Sequence, residues 1–483
     1  MNQKKTNYRW VICSLLFFAT TINYLDRQVL SLTWKDFIAP EFHWTNNDYG
    51  NITAVFSIFY AVGMLFAGTL IDWLDTKKGF LWAIGVWSFG AIIHAFCGIA
   101  TSGLVAGEWV MSFEGAKNAI GLVENVGRVV NVRVTLFIIA RIVLAIGEAG
   151  NFPAAIKATA EYFPKKERAF STSIFNAGAT IGALVAPLII PIIAKKWGWE
   201  MSFIIIGGLG FIWMGFWTFL YKKPDENPAV NEAELAYIHQ DDLLEEEEEA
   251  PEVVEEVKKS KKISVWKALS YKQTWAFVFG KFMTDGVWWF FLFWMPAYLS
   301  SVYDIKSSDI EGQLALFVLY LITLLSILGG WLPTYMVDKK GMDPYKGRMK
   351  SMLIFAFFPL VVLFAQPLGT VSYWVPVLFI GLAGAAHQAW SANIFTTVSD
   401  MFPKYAVATV TGIGGLAGGL GSTIINKVSG VLFDHAGQTQ MVFMGFQGEE
   451  AGYFIIFSFC AVAYLIAWVV MKALVPEMKI IKP

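Results

Sequence analysis

Long stretches of this chain run with almost no charge, and short polar clusters separate them at fairly regular intervals. A helix that crosses a bilayer needs about 20 mostly apolar residues. That criterion predicts about twelve spanning helices, near 9–31, 50–72, 80–100, 133–160, 171–194, 200–221, 273–300, 312–335, 350–366, 373–398, 405–432 and 452–474. The predicted fold class is therefore an all-α membrane protein. A basic flank of Lys4, Lys5 and Arg9 precedes the first run. That run is too long for a signal-peptide core and lacks a small-residue cleavage site, so it is expected to stay as the first span.

The pattern is written twice. Gly147-Glu-Ala-Gly-Asn-Phe-Pro-Ala-Ala-Ile-Lys157 leads to Glu161-Tyr-Phe-Pro164, and Ala386-His-Gln-Ala-Trp-Ser-Ala-Asn393 leads to Asp400-Met-Phe-Pro403. Each follows a long apolar run and enters a Gly-rich one, with Gly178 and Gly182 in the first case and Gly412 to Gly421 in the second. A second pair agrees: Gly68-Thr-Leu-Ile-Asp72 runs on to Lys77-Lys78-Gly79, and Gly330 runs on to Asp338-Lys339-Lys340-Gly341. Related halves of membrane-length segments are the sequence form of a carrier that rocks about a central site. Residues 1–222 and 271–483 are read as two six-helix halves related by an axis along the membrane normal. Between them, 223–270 is a charged linker with Glu245 to Glu249 and Lys258-Lys259-Ser-Lys-Lys262, and such runs are usually solvated. Residues 101–132 are read as an external insertion, an ordered loop or interfacial helix.

Composition narrows the function classes. The chain is 56% hydrophobic and only 16% charged, against about a quarter charged in soluble proteins. Net charge is −1, so bulk electrostatics points to no nucleic-acid partner. Cys13, Cys97 and Cys460 fall inside apolar runs, where a thiol behaves as a small hydrophobe. Neither a disulfide, nor a metal, nor a cofactor is expected. Basic residues at the N-terminus, Lys77-Lys78, Lys165-Lys166-Arg168, the linker, and Lys339 to Lys350 share one side, although Lys195-Lys196 and the 101–132 segment are exceptions. The positive-inside rule puts both termini in the cytoplasm.

Ionisable residues inside the spans carry the chemistry, because each costs at least about 2.5 kcal/mol at the bilayer centre. They are Asp26 and Arg27 in the first span, Arg141, Glu148 and Lys157 in the fourth, Lys281 and Asp285 in the seventh, and His387 in the tenth. His94 and Lys427 are harder to place. Asp26 and Arg27 are adjacent and point about 100° apart, so they do not simply neutralise each other. Burial favours the neutral form of Asp26 and nearby cations favour its charged form; near balance it carries a proton. The plain alternative is a salt bridge at a helix end. Arg27 has the planar fork that suits a carboxylate. Glu148 lies within its predicted span among Gly147, Ala149 and Gly150, with Arg141 on the same face, and is a candidate for proton coupling or for a structural ion pair.

Lys281 and Asp285 are spaced to pair on one helix face, so mutual neutralisation stands beside substrate contact. Trp288 and Trp289 follow them, and a flat apolar face beside a cation is what a sugar acid requires. His387 aligns with Glu148 when Phe402-Pro403 is laid on Phe163-Pro164; it is either a packing residue or, with Gln388, Trp390, Ser391 and Asn393 around it, part of a polar site. Asn176 is the smaller counterpart in span five. Gly68, Asp72 and Asp338 are assigned to an inward gate, where the glycine permits close helix approach and the acid clamps a neighbouring helix end.

These residues resemble a known family. Gly68 to Gly79 and the echo at Gly330 to Gly341 look like the loop motif of the major facilitator superfamily. Tyr24-Leu-Asp-Arg27 and Arg141-x6-Glu148-Ala-Gly-Asn-Phe-Pro153 with Glu161-Tyr-Phe-Pro164 resemble its anion:cation symporter family. Lys281-Phe-Met-Thr-Asp285 running to Trp288-Trp289 and Trp294, with Ala386 to Asn393, is similar to hexuronate transporters. The departures are the acidic linker, the insertion at 101–132, and Phe80 where many superfamily motifs carry a basic residue. The resemblance implies proton-coupled uptake of glucuronate or galacturonate across the bacterial inner membrane. It assigns carboxylate binding to Arg27, proton uptake to Asp26 and Glu148, and a cavity position to Tyr24. A small anionic sugar, protons and the lipid bilayer are the expected partners, and a monomer the expected state.

Residues alone reach only an anionic polar solute. An exporter of amphiphilic cations would carry an acidic cavity, whereas this chain has Arg27, Arg141, Lys157 and Lys281. An enzyme needs clustered nucleophiles or metal ligands, which five scattered histidines and three apolar-run cysteines do not supply. A sensor would append a soluble domain, for which the linker is too short. Other organic anions such as aldonates, and neutral sugars if Arg27 is permanently paired, remain open.

Overall fold

The computed structural model describes residues 5–240 and 263–481, and nearly all of them are helical. The first half comprises α1 (Tyr8–Thr33), short α2 (Ala39–Phe42), α3 (Asn46–Leu74), α4 (Thr76–Thr101), α5 (Phe113–Gly121), α6 (Val126–Glu148), α7 (Asn151–Tyr162), α8 (Lys165–Trp197) and α9 (Trp199–Leu220). Short α10 (Glu232–Ile238) and α11 (Val265–Leu269) lie in the described parts of the linker. The second half comprises α12 (Lys272–Tyr303), α13 (Ile310–Ile322), α14 (Leu328–Asp338), α15 (Pro344–Phe357), α16 (Ala365–Gly369), α17 (Trp374–Met401), α18 (Lys404–Thr439) and α19 (Glu449–Leu474). A two-residue hairpin, Val442–Phe443 with Phe446–Gln447, links the last two helices.

Among the described residues ten helices are long and apolar enough to cross a membrane. The other two predicted spans, α1 and α17, are helical throughout but fall short on apolarity. Their polar content explains this: α1 carries Asn23, Asp26, Arg27 and Gln28, and α17 carries His387, Gln388 and Asn393. The two repeated passages have the same local backbone. Phe163 and Phe402 are extended, and Pro164 and Pro403 each open the next long helix as its N-cap.

Glycines set the distances between helices, because backbone replaces side chain at the crossing. A Cβ on Gly178 or Gly182 would strike the backbone of α1 at Phe17 and Thr21, and one on Gly421 would strike Phe282 of α12. Gly182 and Gly421 stand at equal spacing from Phe163 and Phe402, so one crossing is built in both halves. Gly90, Gly147 and Gly150 bring α6 against α4 in the same way, with a Cβ on Gly90 falling 2.6 Å from the Leu144 nitrogen.

The halves meet on the side away from the N-terminus. Asp434 of α18 accepts from the backbone N–H of Asn46 (2.9 Å) and Asn47 (2.8 Å), capping α3 from across the interface. Asp36, in a π-turn after α1, accepts from Ser300 Oγ at 2.6 Å and from Ser307 N and Oγ at 2.8 and 2.7 Å. Lys427 donates to Asn47 and Asn51, Tyr49 donates to the Phe293 carbonyl, and Ser57 and Ser422 share a 2.9 Å bond. These hydrogen bonds between the halves form one layer. Toward the N-terminal side, Asn176 of α8 and Phe395 of α17 are exposed.

Three boundaries differ from the sequence reading. Span four starts at Val126 rather than near 133, so Glu148 lies in the middle of the 126–162 helical segment. The 101–132 insertion is correspondingly smaller: α4 continues through a π-turn at Ser102–Ala106, and α5 packs back on the bundle. Lys117 of α5 bridges Glu41 (3.0 Å) and Glu200 (3.1 Å). Partial burial opposes its charge, but the two carboxylates more than offset that and hold its pKa above the ordinary lysine value. The linker is also partly ordered. Buried Glu234 of α10 accepts from Thr6 Oγ1, from the backbone N–H of Tyr8 and Arg9, and from the Arg9 guanidinium. The runs at Glu245 to Glu249 and Lys258 to Lys262 lie outside the described residues.

Candidate functional site

The close α1–α8 and α4–α6 crossings put Arg27 and Glu148 side by side at the middle of the bundle. Arg27 Nε and one terminal nitrogen both donate to Glu148 Oε2, at 2.9 and 2.6 Å. Both side chains are buried, at 2% and 0% exposure. Glu148 therefore holds the side-on fork of the guanidinium, and the end-on fork is left for another acceptor. Four rings surround the cation: Tyr60 at 4.7 Å, Trp289 at 4.8 Å, Tyr24 at 4.9 Å and Phe56 at 5.7 Å from its carbon. Trp289 is the one supplied by the second half. Such a cage supports a cation by its ring quadrupoles while excluding bulk water.

Asp26 points away from this pair, as the helical phase requires. It is 1% exposed, and neither of its oxygens has a hydrogen-bond partner among the described residues. Arg141 is equally buried, lies over the Phe56 ring at 5.3 Å, and leaves Nε and one terminal nitrogen unpartnered. Glu148 Oε1 is also unpartnered. Two cations and two acids thus share one dry region with only the Arg27–Glu148 contact formed. Unsatisfied buried charges are expensive, and they concentrate where function requires them.

The second half contributes a separate cluster. Lys281 pairs with Asp285 at 2.6 Å and lies over the Phe395 ring at 4.4 Å. His387 Nδ1 and Tyr464 Oη are 2.7 Å apart, and Trp288 stacks on the His387 ring at 5.4 Å and 3°.

Several expected residues do different work. Trp288 is 9% exposed with its face against His387, so its neighbour Trp289 is the indole beside Arg27. Trp390 is fully buried, edge-on to Tyr464. The Asn393 amide donates to the carbonyls of Gly329 (2.7 Å) and Ala389 (2.8 Å), which makes it a helix-packing residue. Gln388 is half-buried on α17, and Asn176 is exposed on α8. Gly68 has open space around it, so the close approach expected there is absent. The tight contact is at Gly79, where a Cβ would lie 2.8 Å from Ile71 Cδ1. Asp72 pairs with Lys157 of α7 at 3.0 Å, whereas Asp338 is exposed without an ion pair among the described residues. Sequence reasoning missed Phe56, Tyr60 and Tyr464, which sit in apolar runs with no adjacent charge to single them out. Surface grooves of about 720 Å³ (near Leu104, Arg128 and Ile139) and about 320 Å³ (near Glu161, Lys223 and His239) share no lining residue with the central cluster.

Comparison with known proteins agrees with this architecture. The hexuronate transporter of Escherichia coli (strain K12) is 29% identical over 439 residues, covering 90% of each chain. The galacturonate transporter of Dickeya chrysanthemi is 26% identical over 67% of this chain and 81% of its own. A probable galactarate/D-glucarate transporter of Escherichia coli (strain K12) is 23% identical over 92% and 93%. Among solved structures, a bacterial homologue of the human lysosomal transporter Spinster, inward-facing and unoccupied, superposes with a TM-score of 0.67 at 16% identity and covers 98% of both chains. A D-xylose–proton symporter gives 0.66 at 16% identity, covering 98% of this chain and 99% of its own. The model of the Major Facilitator Superfamily matches residues 16–426. With two clusters of buried charge facing one another between helical halves, and that family match across most of its length, the chain belongs to the major facilitator superfamily of membrane transporters.

Proposed function

We propose that this protein is a proton-coupled symporter that imports hexuronates, the glucuronate and galacturonate class, across the bacterial inner membrane as a monomer with both termini in the cytoplasm. The observation that carries the reading is the half-used guanidinium of Arg27. Glu148 occupies its side-on fork, and its end-on fork makes no hydrogen bond among the described residues. A carboxylate matches that free edge bidentately. A bound anion and the Glu148 carboxylate then compete for one cation in a dry site. A proton on Glu148 removes the competition, so substrate and proton load together. When both have left, Glu148 re-pairs with Arg27 and the empty site is again neutral, which lets the halves rock back without an exposed charge.

Asp26 is the second candidate proton carrier, being buried, acidic and unpartnered near Arg141. The names of the relatives support the substrate class, although the galactarate/D-glucarate transporters among them keep other sugar acids in view. A neutral-sugar carrier is favoured only if the Arg27–Glu148 pair never opens.

Glu148→Gln tests the coupling, since it fixes the shape and charge of the protonated form. Proteoliposomes loaded with unlabelled hexuronate should still exchange label in the variant. A one-unit pH gradient is worth about 1.36 kcal/mol per proton, or about tenfold accumulation. The wild type should reach that level, and Glu148→Gln should only equilibrate. Accumulation that survives in the variant would show that the proton travels elsewhere, with Asp26 or Asp285 next in line.

A further inference from the structure

We propose that Trp289 selects ring-form sugar acids over open-chain ones, by presenting a flat aromatic face beside the free fork of Arg27. This deepens the hexuronate reading and rests on it. Trp289 lies 4.8 Å from the guanidinium carbon and is half-buried, so part of its surface is accessible. Its indole N–H makes no hydrogen bond among the described residues and is not among the buried unpartnered atoms. That group is therefore accessible and free to donate to a ligand. Phe293 at 5.2 Å, Tyr60 at 5.7 Å and Phe56 at 5.8 Å brace the ring, which fixes its plane before any ligand arrives.

The other rings are less suited. Trp288 has its face covered by His387, and Phe56 is 1% exposed and shared with Arg141. In a hexuronate the carboxylate is one bond from the pyranose ring. With that carboxylate on the end-on fork, the ring carbons come within reach of an indole that itself flanks the cation. The axial C–H groups on one face of a pyranose are weakly positive and meet the negative face of the indole, while the N–H can donate to a ring or hydroxyl oxygen. An aldonate of the same charge has the same carboxylate but no rigid C–H face. It would bind Arg27 equally and Trp289 poorly, so discrimination lies in the ring and not in the charge.

The test is competition against labelled glucuronate exchange in proteoliposomes, using unlabelled glucuronate and unlabelled gluconate, in wild type, Trp289→Phe, Trp289→Leu and Trp289→Ala. Wild type should prefer glucuronate by about tenfold or more, the size expected for one well-matched contact. Trp289→Leu and Trp289→Ala should raise the glucuronate KM by about tenfold more than they raise the gluconate inhibition constant, and so erase the preference. Trp289→Phe should keep most of it. Equal weakening of both acids in the Leu and Ala variants would overturn the proposal, because Trp289 would then act only through Arg27. Equal inhibition by the two acids in wild type would overturn it as well. Wild type that does not exchange glucuronate at all would overturn the hexuronate reading along with it.

Discussion

Arg27 is a cation with one edge committed and one edge free, and a lysine at that position could not serve both. An ammonium is a compact point charge without the fork, so Arg27→Lys should retain the pairing with Glu148 but lose bidentate capture of the substrate. Loss of a hydrogen-bonded charge contact of this kind costs about 2–5 kcal/mol, or more than about thirtyfold in exchange KM. Transport near the wild-type rate in Arg27→Lys would demote Arg27 to a structural role. The Lys281–Asp285 pair calls for a different design. Removing Lys281 alone leaves a buried carboxylate uncompensated, which costs about 3–5 kcal/mol, whereas removing both leaves none. Lys281→Ala should therefore be less stable in a detergent melt than the Lys281→Ala/Asp285→Ala double variant, with the sign read from a double-mutant cycle. Much of this scale was legible in advance, because a charge in an apolar run announces itself: Arg27, Glu148, Asp26, Lys281 and Asp285 all sit in the central region. The phase of the aromatic residues was not. Adjacent helical positions point about 100° apart, and nothing in Trp288-Trp289 says which one faces the cation.

At the scale of helices, small residues act by position rather than by number. Gly421 has no room for a Cβ beside Phe282, while Gly415 on the same helix has nothing within 4 Å of that position. Overpacking a tight contact costs about 1–3 kcal/mol. Gly421→Val should lower the melting temperature of the detergent-solubilised protein and its transport rate, and Gly415→Val should leave both near wild type. Comparable losses in the two variants would mean that α18 is sensitive to β-branching and not to the crossing. The existence and order of the helices could be read from apolar run length, which is the signal membranes impose most strongly. Their starts could not. The first residues of α6, Val126 to Val132, include Gly127, Arg128 and Asn131 and read as loop, yet they continue the helix. Gly68 misled for a related reason, since the motif identifies a glycine without saying which neighbour approaches it, and Gly79 has that contact.

For the molecule as a whole, the decisive feature is the layer of hydrogen bonds that joins the halves on the face away from the N-terminus. Asp434 joins partners 388 residues apart in sequence, which no local pattern could have indicated, although the repeated Phe-Pro passages did foretell two halves with matching joints. Asp434→Ala removes the cap that α18 gives to α3, worth about 0.5–2 kcal/mol for an ordinary helix cap. The variant should open more often on that face. A cysteine placed at Asn176, exposed toward the opposite face, should then react about two- to tenfold more slowly with a bulky maleimide. Unchanged labelling would show that other contacts in the layer suffice. The same layer sets the tempo of a transport cycle. A carrier held shut by charge-assisted bonds on the face away from the N-terminus would, in the orientation proposed above, spend its idle time open toward the cytoplasm. Its slow step is then the empty return, and internal sugar that rides outward in its place would relieve it. Preloaded vesicles should take up label faster than empty ones, so unidirectional flux would rise as the cell fills even while net uptake falls.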